Sequence, residues 1–274
     1  MQACVIERIV IDGNELQDVK LGAKLRDDQV YIDDFSLRYA PLFGQIWGND
    51  VVDLRAEKPN LSFAVLGEIA VGKLDNRFGT DLKFEGTAQG TISETINVHL
   101  VGQLNGNPAV ADIVLDAVVG DGQVSDIEAL IWGPAGSITA EGQIGAEGHI
   151  GAVWNANITD LAPIGRWADL TLAGKEIRGS GAVWGQWDEV GYAAKGSADT
   201  IVVAGIPMAN IALDTRWTRP DSGAISIEIE QMTWADRVLN GVVFSGTHDR
   251  GVSSFLLASD LLRLSLVFLL LAAR

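Results

Sequence analysis

One cysteine, seven prolines and three histidines are all that the 274 residues hold of those types. A single thiol, Cys4, has no partner in the chain, so a disulfide scaffold is excluded. Glycine is abundant at 31 residues, yet no Gly-X-Y register runs through it, which excludes collagen. Positive charge is scarce: 20 Lys and Arg stand against 36 acidic residues, for a formal charge of -16. Phosphate contacts need clustered Lys and Arg, and the sequence shows no such run, so the chain is not expected to bind nucleic acid. Disorder is excluded as well, because the hydrophobic fraction of 47% is that of a globular protein.

Long hydrophobic runs are also lacking. The N-terminus has no basic stretch leading into an apolar one, so it does not read as a signal peptide. The pair Ala3-Cys4 has no hydrophobic segment before it and does not read as a lipoprotein site. Leu264 to Ala273 is apolar but far shorter than the roughly 20 residues of a membrane helix. The segment Leu261–Ala273 is expected to be a helix whose packing partner is missing, with a marginal membrane anchor as the other reading.

What the sequence does contain is alternation. Ile96, Val98, Leu100, Gly102 and Leu104 fall on one face of an extended chain, and Ile211, Leu213, Thr215 and Trp217 do the same. Ile225, Ile227 and Ile229 alternate with Ser226, Glu228 and Glu230. Period two with one apolar side marks half-buried strands. The dipeptides Asp12-Gly13, Asn105-Gly106, Asp121-Gly122 and Asn240-Gly241 are hairpin-turn signals between them. One helix of two to three turns is expected over Asp160–Asp169, with Asp160 as its cap and Pro163 in its first turn.

A long-period repeat underlies the alternation. Asp18 to Val30 lies without gaps on Asp112 to Val124, 94 residues on, and both follow Asp-apolar-x-Leu-x-Ala-x-apolar-x-Asp-x-Gln-Val. A looser copy starts at Asn210. Leu82–Gly90 matches Ile177–Gly185, and Thr159-Asp160-Leu161 recurs as Ser259-Asp260-Leu261. The expected units are 1–111, 112–209 and an incomplete 210–274. A one-sided strand pattern cannot hide its apolar face alone, so successive units should extend one sheet. The fold class expected is all-β with one or two short helices: an elongated antiparallel meander bent into an open groove.

Catalytic chemistry has no foothold. His99, His149 and His248 are far apart and lack carboxylates or Cys at metal-ligand spacing. Gly145–Gly151 and Gly179–Gly181 do not link a buried strand to a helix, so neither is a dinucleotide fingerprint. Asp27, Asp28, Asp33 and Asp34 form an acidic cluster without an EF-hand loop and read as a solvated turn rather than a Ca²⁺ site. The expectation is a protein that is not an enzyme, with no catalytic residue, no metal and no cofactor.

Asn155 to Ile164 leads into Leu172–Asp188, and the passage resembles the Asp-Leu-x-x-Leu, then Gly-x-apolar-x-Gly cadence of TamB- and AsmA-like envelope proteins. Leu16 to Leu21 and Gly44 to Gly48 resemble the same superfamily, which includes YdbH-type members. The resemblance covers about two-thirds of the chain and rests on degenerate motifs. It implies a long β-groove in the periplasm, attached to the inner membrane in the full-length protein. It further implies transfer of phospholipids between the inner and outer membranes, or support of outer-membrane assembly, with membrane-protein partners contacted through regions outside this chain. The family's N-terminal anchor and far C-terminal region have no counterpart here.

Burying acyl chains gains about 0.8 kcal/mol per CH₂, so an apolar trough carries them without nucleotide hydrolysis. The expected lining is Val19, Leu21, Val30 and Ile32, then Ile113, Leu115 and Val124, then Ile211, Leu213, Ile225, Ile227 and Ile229. Against this stands a closed sandwich core built from the same rows. A different functional class is a carbohydrate-binding or carbohydrate-acting β-scaffold or adhesin, for which Trp132, Trp154, Trp184 and Trp187 would supply the stacking row.

Overall fold

The computed structural model describes residues 2–11, 14–39, 44–53, 55, 60–70, 79–91, 94–107, 111–167, 170–186, 189–219, 221–260 and 263–269. They form an all-β antiparallel meander with one short helix. The chain divides into two compact units, Met1–Gly133 and Pro134–Arg274.

Unit 1 holds β1 (Gln2–Ile11), β2 (Asn14–Arg26), β3 (Gln29–Tyr39), β4 (Gly44–Asp53), β5 (Asn60–Ile69), β6 (Gly79–Thr91), β7 (Thr95–Asn107), β8 (Ala111–Gly120) and β9 (Gln123–Gly133). Each pairs antiparallel with the next in sequence. Unit 2 holds β10 (Gly136–Ile144), β11 (His149–Ile158), α1 (Ala162–Trp167), β12 (Leu172–Lys175), β13 (Ile177–Gln186), β14 (Glu189–Val203), β15 (Ile206–Arg219), β16 (Ser222–Trp234), β17 (Arg237–Asp249), β18 (Val252–Ala258) and β19 (Arg263–Leu269). Its strands also pair in order, except that β12 and β13 share β14 as their partner in one continuous register. Glu176, at φ 57°, is the joint between those two pieces.

The hairpins are tight because their turns take the left-handed backbone twice in succession. Asp27-Asp28, Asp121-Gly122, Ala204-Gly205, Ala235-Asp236 and Arg250-Gly251 all have positive φ at both positions, the twist that suits a two-residue hairpin. Two expected turns lie elsewhere. Asn105-Gly106 is inside β7, opposite Asp81 and Thr80, and Asn240-Gly241 is inside β17, where Gly241 takes φ 59°. Flanking residues complete a ladder on both sides of these dipeptides, and that pairing overrides the local turn preference. Asp12-Gly13 lies outside the described residues.

Asp160 Oδ1 accepts a hydrogen bond from the Ala162 N–H at 2.9 Å, the expected cap. The helix it opens spans only six residues, shorter than expected. Beyond its last residue, Trp167, the Leu170 N–H donates back to the Gly165 carbonyl at 2.9 Å. The other expected helix is a correction. Arg263–Leu269 is β19, antiparallel to β18, with Leu264 opposite Leu257 and Leu266 opposite Phe255. An alternating segment beside an open strand edge satisfies its backbone there, and Asp260 accepts from Asn240 instead of capping a helix. Among the described residues no helix is long and apolar enough to cross a membrane.

β3 and β9 begin and end 94 residues apart, as do the turns that precede them. The division between compact units falls after Gly133, inside the second of the sequence units.

Candidate functional site

The strand registers turn scattered aliphatics into rows. In unit 1 one row crosses eight strands: Leu21, Phe35, Gly48, Val65, Gly86, Leu100, Leu115 and Ala129 stand opposite one another in turn. A second row runs through Ile46, Gly67, Phe84, Gly102 and Ile113 to Ile131. A third begins at Ile32 and runs through Asp50, Phe63, Ala88 and Val98 to Ala117. Val19 stands opposite Ile6, Val30 between Leu25 and Val52, and Val124 opposite Val119.

Unit 2 repeats the arrangement. Leu213 and Ile227 lie on a row from Gly196 to Phe244, Leu257 and Leu264. Ile211 and Ile229 continue from Ala198 to Val242, and Ile225 lies between Thr215 and Gly246. Directly opposite side chains sit about 4.5–5.5 Å apart, so each row is a continuous strip, apolar except at Asp50 and Thr215.

These strips are not sealed. Among the described strand residues only Ala117, Ala198, Ile229 and Val242 are buried apolar side chains, and no large side chain is fully buried. Leu21 remains 38% exposed, and the other expected lining residues apart from Ile229 are half-buried. The alternate positions are polar: Ser226, Glu228 and Glu230 on β16, and Asn97, His99 and Gln103 on β7. His99 Nδ1 donates to Asp116 Oδ1 at 2.6 Å on that side. Unit 1 also carries apolar residues on its polar side, where Trp47 opposes Leu66 and Val101 opposes Val114, which opposes Leu130.

Two features of the apolar face escape a reading by alternation alone. The first is a set of aromatic rings seated on glycines of the neighbouring strand: Phe84 on Gly67, Trp154 on Gly181, Trp217 on Gly223 and Phe255 on Gly246. A Cβ at Gly181 would lie 2.6 Å from Trp154 Cε2, so glycine is what admits the ring. Each ring covers backbone that the glycine would leave bare. The second is Asp50, 4% exposed and placed between Ile32 and Phe63 in the third row. Its Oδ1 accepts from the N–H groups of Val51 and Ser62, while Oδ2 has no hydrogen-bond partner among the described residues. Its parity with Ile46, Gly48 and Val52 was the only signal in the sequence.

The tryptophans do not form one stacking row. Trp154 stands opposite Gly181 on the apolar side, whereas Trp132 opposes Asp112 and Trp184 opposes Gly151 on the other. Trp187 lies outside the described residues. The side chains of Asp33 and Asp34 do too, so the acidic cluster is seen only at its Asp27-Asp28 turn. Among the described residues no three His, Cys, Asp or Glu converge as metal ligands. Comparison with family models, curated proteins and solved structures finds no match to this chain.

Proposed function

We propose that the apolar face of this sheet carries the acyl chains of phospholipids, as a non-enzymatic segment of a bacterial envelope protein working between the inner and outer membranes. The supporting observation is continuity combined with exposure. Rows of Leu, Ile, Val and Phe interspersed with Gly and Ala run across eight strands of unit 1 and across the last strands of unit 2, yet nearly all the large residues remain half-exposed. A closed core would bury such residues almost completely. Large exposed apolar surface on a chain of net charge -16 calls for an apolar ligand. Acyl chains fit it, since they gain about 0.8 kcal/mol per CH₂ wherever they lie along a row, with no deep pocket to hold them back. Membrane-protein partners and the periplasmic setting belong to the same proposal and rest on the TamB- and AsmA-like cadence.

The test is delipidation followed by incubation with phosphatidylethanolamine–phosphatidylglycerol vesicles and native mass spectrometry. The proposal expects adducts of phospholipid mass. A clean apo mass after incubation would contradict it.

A further inference from the structure

A line of apolar residues crosses the polar side of unit 1. The registers of β4 to β9 set Trp47, Leu66, Glu85, Val101, Val114 and Leu130 opposite one another in turn. Trp47, Leu66, Val101 and Leu130 are between 38% and 43% exposed, and Trp132 adjoins Leu130 two residues along β9. The rows on either side are mainly polar and rich in acids. Glu68 and Asp112 stand in one, Asp116 and Glu128 in the other, and Glu85 interrupts the apolar line itself. Against them stands one lysine, Lys83, while His99 is hydrogen-bonded to Asp116. The next positions outward on β5 to β9 add Asp81 and Asp126 and, among the described residues, no Lys or Arg. The cations of this side lie beyond Trp47 on β2 and β3: Lys20, Lys24, Arg26 and Arg38, the last 3.3 Å from Asp18. Lys20 is three strands from Leu66, roughly 14 Å, past the Debye length of about 8 Å at physiological salt. A hollow of about 530 Å³ between Trp47, Leu66 and Val101 reaches Glu68 and Asp112.

We infer that this stripe docks a basic amphipathic helix of a partner protein, laid across the strands with its apolar side on the row and its Lys and Arg over the flanking acids. Contiguous exposed apolar residues with a polar rim have the anatomy of a protein interface. Spacing selects a helix. Neighbouring strands are about 4.8 Å apart, near the 5.4 Å between helical turns, whereas an extended segment repeats every 6.7 Å or so on one side. From Trp47 to Leu130 the row spans roughly 24 Å, the length of about 16 helical residues. Charge selects a basic one. A second copy of this chain would set acids against acids, and an anionic membrane surface meets the same repulsion. Glu85, midway along the row, calls for a cation within the helix's own apolar stripe. The stripe is on the opposite side of the strands from the rows proposed to carry lipid, so it stands independently of that reading.

The experiment is fluorescence anisotropy on the full chain with a labelled Leu/Lys peptide of about 18 residues whose leucines form one helical stripe. A scrambled peptide of the same composition and a Leu/Glu peptide with the same stripe are the controls. In about 150 mM NaCl, saturable binding of the striped Leu/Lys peptide is expected, at least tenfold tighter than that of either control. The charge-neutral double variant Val101→Ser/Leu130→Ser should weaken it at least tenfold, and Glu85→Gln severalfold. Val153→Ser, at an exposed aliphatic on the polar side of unit 2, should bind like the parent. Circular dichroism checks that these variants, all at exposed positions, keep the strand signal. No binding, equal binding of the scrambled peptide, or a double variant with parental affinity would each overturn the inference. So would strong phospholipid labelling from a benzophenone side chain placed at Val101, which would assign the stripe to lipid.

Discussion

Strands β15 to β18 and strands β10 to β14 build the same apolar face of unit 2 in different ways. The first group presents Ile211, Leu213, Ile225, Ile227, Ile229, Val242 and Phe244, and neighbouring strands meet through bulky side chains. The second presents Ala140, Gly142, Ala152, Ala156, Gly179 and Gly181, with the Trp154 ring lying over the glycines. Where side chains are large and β-branched, cross-strand packing stabilises the ladder and leaves an aliphatic surface. Where they are small, the ladder gives up that packing, and an aromatic ring from the next strand restores part of it. One face thus contains a region that tolerates change at its surface and a region fixed by close approach.

The largest effect should come from breaking the second region. Gly181→Val would drive its Cβ into the Ala193 carbonyl oxygen as well as against Trp154, and should cost about 3 kcal/mol in urea-denaturation stability. Gly151→Val, whose Cβ meets nothing within 4 Å, should stay within about 0.5 kcal/mol of the parent. Equal losses in both would mean that the close approach of Trp154 to Gly181 does not fix this region. Next in size is Ile227→Arg in the first region. Because Ile227 is only half-buried, the guanidinium can reach water and the loss should be about 1–2 kcal/mol with the strand signal intact. Outright unfolding would mean the row is a closed core. Smaller again, Asp160→Ala removes the cap of α1 and should cost about 1 kcal/mol, measured by the same denaturation midpoint.

Strand positions were legible in the sequence because alternation survives in single strands such as Ile96 to Leu104. Which residues meet across strands was not, because register depends on bulges. At Asp126, with φ 48°, the inward parity of β9 shifts: Val124 opposes Val119, but Ala129 and Ile131 then oppose Leu115 and Ile113. Asn210 at φ 50° sits between Met208, opposite Met232, and Ile211, opposite Ile229. Seating Trp154 on Gly181 joins residues on two different strands, which no local pattern reveals. At the C-terminus, apolar composition pointed to a helix, whereas Leu264 and Leu266 keep the period of the neighbouring strand.

The central claim is that acyl chains lie along the apolar rows and not on the opposite side. Photocrosslinking reads this directly, with a benzophenone side chain placed singly at Ile227, Leu213, Glu228 or Asp214 and a radiolabelled phospholipid supplied in vesicles. The account predicts strong labelling from positions 227 and 213 and background labelling from 228 and 214, since alternate residues of a strand face opposite sides. Equal labelling from both pairs, or none from 227 and 213, would contradict it.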